Sequence, residues 1–262
     1  MNWITLTTDF TEHDGYVGVM KGVIAGIAPQ ARVVDLSHTV APQNVFQAAL
    51  LLGRSVPYFP AGTVHVAVVD PGVGTARRGI AAQLGKQYFV GPDNGLLTLL
   101  YQQAQADGEP VRIHALENAD YRLAQVSRTF HGRDIFAPAA AHLAIGAPLE
   151  SFGAAVMDPI LLEMPQAQKT ADGLIGSIIH VDAFGNLASN IRAETLADFE
   201  NIHIILRNTV IEGISATFGN KAQGELVAVI DSFGFLSICV VNGSAAQQLR
   251  AGFGEQLQIV RS

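Results

Sequence analysis

Cysteine is nearly absent from the sequence: Cys239 is the one cysteine among 262 residues. A single cysteine excludes a disulfide within the chain and any cysteine-based metal site. Because Cys239 lies in the apolar run Phe235–Val241, we expect a buried core thiol. The histidines show neither an HExxH pair nor another paired metal-ligand spacing, so we predict no catalytic metal.

Charge is also sparse. Charged residues make up 15% of the chain, the net charge is −7, and no run of Lys or Arg stands out, which argues against nucleic acid as a partner. No stretch of about 18 apolar residues is present, so we expect no membrane-spanning helix. The N-terminal sequence MNWITLTTDF lacks the basic segment of a signal peptide. It indicates a strand, and we expect a cytoplasmic protein.

Hydrophobic residues, by contrast, make up 49% of the chain. This is enough for a substantial core in one large domain, or in a medium domain and a small one. So low a content of charged residues favours an oligomer, in which other subunits cover part of the surface.

Residues 1–163 alternate strand and helix patterns, which predicts an α/β domain with a mostly parallel sheet flanked by helices. The strand Trp3–Thr8 precedes a helix over Gly15–Ala28, where apolar residues recur at helical spacing. Further strands are predicted at Arg32–Leu36, Thr63–Val69, Ile80–Leu84, Tyr88–Val90 and Val111–Leu116, and further helices at Asn44–Ser55, from Gly95 to Tyr101 and at Asp134–Ile145.

The pattern changes at residues 164–172, a polar segment without periodicity that indicates a linker. Short strands then dominate residues 173–262, which predicts a small all-β barrel domain. Arg207–Asn208 has the composition of a hairpin turn. The predicted elements are strands at Leu174–Val181, His203–Leu206, Thr209–Ile214, Leu226–Ile230, Phe235–Val241 and Gln256–Val260, and a short helix at Ser244–Arg250.

Polar segments follow predicted strands of the first domain, at the sheet edge where α/β proteins bind ligands. In TTDF, Asp9 could accept hydrogen bonds from a sugar diol or cap the next helix. In VVDPGVGTARRG, Asp70 precedes Arg77 and Arg78 across a Gly-rich loop. An acid and a base so placed could form a functional pair or a salt bridge that only stabilises the loop.

A third segment, TFHGRDIFAP, brings His131 to a junction between loop and helix. A structural histidine is the main alternative to a catalytic one there. Arg133 and Asp134 are expected to serve helix capping and surface charge. The segment GPDNGLL, with Asp93, has the composition of a structural turn.

Two turns stand out in the predicted β domain. In HVDAFGNLASNI, Phe184 could stack on a planar base and Asn186 could pair with its edge, or Ala183–Gly185 could be only a β-turn. A second such turn, in IDSFGFLSI, offers Ser232 and Phe233.

Taken together, the chain resembles the S-adenosyl-L-methionine (SAM) hydroxide adenosyltransferases, relatives of the SAM-dependent fluorinase and chlorinase. The resemblance covers nearly the whole chain. It runs in order through TTDF, DLSHTVAP, PYFPAGTVHVAVVDPGVGTARRG, GPDNGLLT, TFHGRDIFAPAAAHLA, DAFGNLASNI and DSFGFLSI. It implies an α/β N-terminal domain, a β-barrel C-terminal domain, and a homotrimer with SAM bound between subunits.

The resemblance also implies the reaction: SAM is the substrate, no cofactor is needed, and water attacks C5′ to give adenosine and L-methionine. The family's water-handling triad falls on Asp70, Arg77 and His131, and the spacing from Asp70 favours Arg77 over Arg78. The halogenating relatives carry tyrosine in place of Asp70 and lack this triad.

By the same resemblance, Asp9 would hold the ribose hydroxyls. Phe184 would stack on adenine and Asn186 would bond its edge. Asp182 would meet the methionine ammonium, and Ser232 would also contact methionine.

The sequence departs from the fluorinase at Phe233, where that enzyme has arginine, and at Gln43, where it has tryptophan. Contacts made from these positions therefore do not transfer to this chain. Two alternatives to the hydrolase remain, a SAM-dependent halogenase and a non-catalytic protein that binds or senses SAM or adenosine. An unrelated nucleoside hydrolase or phosphatase would show an Asp-rich metal motif, which the sequence lacks.

Overall fold

Two units make up the chain in the computed structural model, Met1–Leu162 and Glu163–Ser262. The structure describes residues 3–197, 199 and 201–261. Among these residues, no helix has the length and apolar character needed to cross a membrane.

The first unit is built on a mixed sheet. Its strands are β1 (Trp3–Thr8), β2 (Arg32–Ser37), β3 (Val64–Val68), β4 (Gly79–Leu84), β5 (Gln87–Pro92) and β6 (Val111–Ala115). They lie in the order β2-β1-β3-β5-β4-β6, and the first four run parallel while β4 is antiparallel to both neighbours. The prediction of a mostly parallel α/β sheet is confirmed.

Helices cover both faces of this sheet. They are α1 (Tyr16–Ile27), α2 (Val45–Ser55), α3 (Thr98–Ala106) and α4 (Ala137–Ala144). Val66 and Val68 of β3 pack in one core cluster with residues of α1 and α4, whereas Ala67 packs in another with residues of α2 and α3. Because both faces are buried, β3 has no polar alternation in its sequence.

The second unit is an antiparallel sheet that nearly closes into a barrel. Its elements are β7 (Gln168–Lys169), β8 (Gly173–Val181), β9 (Leu187–Arg192), β10 (Ile202–Leu206), β11 (Thr209–Glu212), β12 (Leu226–Ile230), β13 (Phe235–Val240), α5 (Ala245–Leu249) and β14 (Gln256–Arg261). The order is β11-β10-β14-β8-β9-β13-β12, with β7 beside β8. The Ser215 amide donates to the Ala228 carbonyl, which brings the two edge strands together. The predicted β-barrel class is confirmed.

Strand β9 is missing from the sequence-based prediction. Its middle residues, Ser189 and Asn190, are polar, yet Ser189 is fully buried. The Ser189 hydroxyl donates to the Leu236 carbonyl at 2.7 Å, and the Asn190 side-chain oxygen accepts from the Ser177 amide at 2.9 Å. Partners on neighbouring strands satisfy these polar groups, and such partners cannot be seen in the local pattern.

Cys239 is buried in β13, as predicted. Burial, with the nearby carboxylates of Asp182 and Asp231, raises the pKa of its thiol to about 12. Cys239 is therefore an unreactive thiol at neutral pH.

Candidate active site

A cavity of about 240 Å³ opens at the carboxyl ends of β1 and β3. The loops that follow parallel strands all begin at the same edge of the sheet, so several of the predicted residues lie together at this cavity. The lining residues are Asp9, Phe10, Gln43, Val68, Asp70, Pro71, Val73, Thr129, Phe130, His131 and Gly132.

Asp70, Arg77 and His131 form one connected cluster. Arg77 Nε lies 3.0 Å from each carboxylate oxygen of Asp70, and Arg77 Nη2 donates to Asp70 Oδ2 as well. The same Nη2 lies 2.7 Å from His131 Nδ1. The Arg77 and Asp70 side chains are only 11% and 5% exposed, so water screens this ion pair weakly.

Glycine makes the loop between Asp70 and Arg77 possible. Gly74 adopts φ +76°, and a Cβ there would lie 2.3 Å from the Arg128 carbonyl oxygen. The Val73 amide donates to the Asp70 carbonyl, so the chain turns immediately after the acid. The backbone therefore returns Arg77 to the carboxylate of Asp70.

The contact with Arg77 determines the tautomer of His131 and helps to keep its ring neutral. A guanidinium only donates hydrogen bonds, so His131 Nδ1 accepts and the ring's single proton lies on Nε2. Burial and the Arg77 charge lower the pKa of His131, while Asp70, Asp134 and a hydrogen bond to the Ser127 backbone oppose them. The ring is consequently neutral at neutral pH.

Arg78 points to different partners. Its Nε donates to Asp93 at 2.9 Å and its Nη1 to Asp158 at 2.7 Å. Asp93 is buried and also accepts from the Ile160 amide. These contacts fit the structural interpretation of the turn that contains Asp93.

Asp9 lies at the cavity and does not cap α1. The residue at the N-cap is Gly15, and no side chain caps this helix. Asp9 Oδ2 accepts from the Gln43 amide at 2.8 Å, and Gln43 holds a left-handed backbone at φ +64°. The helix-capping alternative for Asp9 is wrong.

The expectation for Asp134 is also wrong. Its side chain is fully buried, accepting from the Ser127 amide at 2.7 Å and from Arg133 Nε at 2.5 Å. Burial raises the pKa of Asp134, but the bonds from Arg133 and Ser127 outweigh this and leave the pKa below its usual value. Asp134 lies in the π-helix Gly132–Phe136 and ties it to the loop that leads to His131.

In the second unit, Asp182, Phe184 and Asn186 share one tight turn. Asp182 Oδ1 accepts from the Phe184 and Asn186 amides at 2.9 Å each, and Oδ2 accepts from Asn186 Nδ2 at 2.8 Å. Gly185 adopts φ +82°. The Phe184 ring is 78% exposed, so the turn presents it as a free stacking surface.

Ser232 lies in a second turn of the same construction. Asp231 Oδ1 accepts from the Phe233 and Phe235 amides, as Asp182 does in the first turn. This turn lies beside Arg192, at the far end of β9 from Asn186. The two turns therefore adjoin opposite ends of β9.

The cavity also includes Phe10, Gln43 and Thr129, which the sequence did not single out as ligand-contacting residues. Phe10 and Thr129 are themselves part of the motifs TTDF and TFHGRDIFAP, and Gln43 directly follows DLSHTVAP, so their place in or beside a motif was the available signal. Among the described residues, no group of three or more His, Cys, Asp or Glu side chains is placed to hold a metal ion.

The chain is similar to known proteins over nearly its whole length. The family profile for the SAM hydroxide adenosyltransferase N-terminal domain matches residues 4–153, and that for the C-terminal domain matches residues 176–258. A relative from Salinispora arenicola named (R)-S-adenosyl-L-methionine hydrolase is 44% identical, over 98% of this chain and 97% of its own. A fluorinase from Actinopolyspora mzabensis is 26% identical, over 99% and 97%. The solved structure of an uncharacterized conserved protein from Thermotoga maritima has a TM-score of 0.89 at 38% identity and full coverage of both chains.

Proposed function

The chain belongs to the SAM hydroxide adenosyltransferase family, and on that premise we propose that it hydrolyses SAM to adenosine and L-methionine. The observation that carries the proposal is the Asp70–Arg77–His131 cluster at the cavity. His131 is 54 residues from Arg77 in sequence, and the fold joins it to the Asp70–Arg77 pair beside a space open to a small molecule.

The substrate needs little chemical activation, because its sulfonium leaves as a neutral thioether. The enzyme must hold a water in line behind C5′, about 3–3.5 Å away, and shield it from competing solvent. As the bond between C5′ and the water oxygen forms, the C5′–S bond breaks and its electron pair leaves with methionine. The water releases one proton.

Asp70 is the acceptor best placed for that proton. The lone pair of His131 Nδ1 already faces Arg77, whereas a carboxylate accepts more hydrogen bonds than Arg77 alone supplies to Asp70. Arg77 adds positive charge beside the developing hydroxide. The neutral ring of His131 holds Arg77 in place, and the proton passes from Asp70 to solvent after the reaction.

The remaining predicted contacts belong to the same proposal. Asp9, with Oδ2 held by Gln43, would offer its other oxygen to the ribose diol. Phe184 would stack on adenine, and Asn186, whose amide nitrogen donates to Asp182, would accept from the adenine amino group. Asp182 would meet the methionine ammonium, and Ser232 would contact methionine.

We also propose that the protein is a homotrimer with SAM bound between subunits, as the family resemblance implies. The predicted ligand-binding residues fall into two sets, one in each unit of the chain. The exposed ring of Phe184 supports a role in completing a site.

The substrate epimer follows from the relative's name. The relative from Salinispora arenicola is named for (R)-SAM, and the prefix refers to the sulfonium because the amino acid is given separately as L. We propose the same preference here. Incubation with each epimer at equal concentration should consume the (R) form faster, and equal rates would contradict the preference while leaving hydrolysis intact.

The experiment that tests the reaction is incubation with SAM in ¹⁸O-water containing chloride and fluoride, followed by mass spectrometry. Adenosine with ¹⁸O at the 5′ position, together with methionine, is the expected result. A 5′-halogenated adenosine would identify a halogenase instead. Intact SAM in the presence of measurable binding would identify a sensor.

A further inference from the structure

Four linked polar side chains lie behind Asp9 and do not line the cavity: Thr8 and His38, which are buried, and Asp35 and Lys21, which reach the surface. The Thr8 side-chain oxygen is 2.9 Å from His38 Nδ1, and His38 Nε2 is 2.9 Å from Asp35 Oδ1. Lys21 donates to Asp35 Oδ2 at 2.5 Å. Thr8 is fully buried and His38 is 4% exposed, so water does not compete for the bond between Thr8 and His38.

The hydrogen-bond donors and acceptors of these four side chains can be assigned in only one consistent way. His38 Nε2 approaches Asp35 Oδ1 to 2.9 Å as an ion pair without hydrogen-bond alignment. Because a carboxylate has no proton to donate, this close approach is favourable only with the ring proton on His38 Nε2. His38 Nδ1 is then an acceptor, and the Thr8 hydroxyl donates to it. The Thr8 oxygen is left to accept, and the Phe10 amide donates to it at 3.2 Å.

Both ends of the segment His38–Gln43 form hydrogen bonds to residues of the loop 9–11, which contains Asp9. The His38 carbonyl accepts from the Thr11 amide at 2.8 Å. At the other end, the Gln43 amide donates to Asp9 Oδ2, from the left-handed backbone that few residues other than glycine adopt. The segment His38–Gln43 therefore bonds the Thr8 side chain, the Thr11 backbone and one carboxylate oxygen of Asp9.

We infer that Thr8 and His38 are positioning residues that orient the Asp9 carboxylate and thereby give the protein its selectivity for a ribose with both hydroxyls. Lys21 and Asp35 hold His38 in the tautomer that the Thr8 bond requires. The inference rests on the proposed function, because it assumes that the free oxygen of Asp9 meets the ribose diol. Neither Thr8 nor His38 touches the substrate.

The test compares Thr8→Val, which keeps the shape but removes the hydroxyl, with Thr8→Ser, which keeps the hydroxyl. Isothermal titration calorimetry measures the Kd of each protein for adenosine, 2′-deoxyadenosine and 3′-deoxyadenosine. The wild type should bind adenosine at least about tenfold more tightly than either deoxy compound, the loss expected for a hydrogen bond to a charged group. Thr8→Val should weaken adenosine binding about tenfold while leaving the deoxy compounds nearly unchanged, and Thr8→Ser should restore the preference.

The outcomes separate the inference from the function on which it rests. A Thr8→Val protein that melts at a lower temperature but keeps the wild-type preference has lost only stability, and that result overturns the inference. Wild-type protein that binds adenosine without preferring it over the deoxy compounds overturns the inference and the role of Asp9 together. Wild-type protein that binds no adenosine and also leaves SAM intact in the ¹⁸O-water experiment overturns the proposed function itself. If Thr8→Val does not fold, His38→Phe undergoes the same measurement with the same expected loss of preference.

Discussion

Adjacent arginines have separate tasks in this protein. Arg77 bonds Asp70 and His131 at the cavity, whereas Arg78 bonds Asp93 and Asp158. Arg77 thus belongs to the candidate reaction site and Arg78 to the scaffold. The pair offers a matched comparison of catalysis with stability, since the same residue type is changed at neighbouring positions.

Arg77→Ala and His131→Ala should each lower kcat by at least about a hundredfold, because the water loses its charged and oriented surroundings. The Kd for SAM should change far less, since neither residue is predicted to hold the ribose, the adenine or the methionine. Single-turnover kinetics and calorimetry measure the two quantities. Equal losses in kcat and binding would contradict the assignment.

Arg78→Ala is the control for that experiment. It leaves the buried carboxylate of Asp93 with one fewer partner, which should cost about 1–3 kcal/mol of unfolding free energy. Its kcat should stay near the wild-type value. A large loss of kcat with unchanged stability would mean that the roles of the two arginines are reversed.

At the scale of elements, the loop after β3 depends on glycine in a way that can be measured. Gly74→Ala combines a left-handed backbone with a Cβ 2.3 Å from the Arg128 carbonyl oxygen, so the loop must shift and Arg77 must move relative to Asp70. Gly62→Ala is the matched control, with φ +84° but no atom within 4 Å of the added Cβ. Both substitutions should lose about 1–3 kcal/mol of stability from backbone strain. Only Gly74→Ala should also lose most of its kcat, and similar activity in the two variants would contradict this.

Strand β3 also carries a buried titratable group, His65, which bonds the Thr5 side chain at 2.8 Å. Burial lowers the pKa of His65 to about 4. Between pH 6.5 and 4, the unfolded chain therefore binds a proton that the native chain does not, and stability falls as the pH falls through this window. The loss of unfolding free energy contributed by His65 across this window is roughly 3 kcal/mol. Above pH 6.5, His65 does not make the stability depend on pH.

Thermal unfolding of the wild type and of His65→Gln from pH 4 to pH 7.5 tests this contribution. The wild type should lose more stability than the variant as the pH falls, because glutamine does not titrate. His131 and His142 also have lowered pKa values, but they are unchanged in the comparison and cancel. Parallel curves for the two proteins would contradict the role of His65.

At the scale of the whole molecule, the proposed trimer makes a prediction that no single-chain argument makes. Arg77→Ala and Phe184→Ala damage different units of the chain, so each variant alone should be nearly inactive. If sites form between subunits, unfolding and reassembling an equal mixture should restore about a quarter of wild-type activity, because some interfaces pair two intact surfaces. Activity is measured after size-exclusion chromatography with light scattering has given the mass. A monomer, or a trimer without regained activity, would contradict the proposal.

The local sequence was enough to predict much of the fold and of the candidate site. Hydrophobic periodicity identified the helices and strands of the first unit, because burial on a sheet or helix face imposes that periodicity directly. The glycines around Asp70 and Asp182 revealed tight turns, since few other residues tolerate their backbone angles. The ordered motifs identified the family, and the family implied Asp70, Arg77 and His131. The trimer and a cytoplasmic location stay predictions.

Only the tertiary structure decided which polar groups meet. Residues alone left Arg77 and Arg78 as alternatives for Asp70, and the fold turned Arg77 toward Asp70 and His131 and Arg78 toward Asp93. Asp134 was expected at the surface and is buried, and the Thr8–His38 bond joins two motifs that showed no connection in sequence. Strand β9 escaped prediction for the same reason. A hydrogen bond or an ion pair depends on where two distant segments are brought together, and the local pattern of either segment does not contain that information.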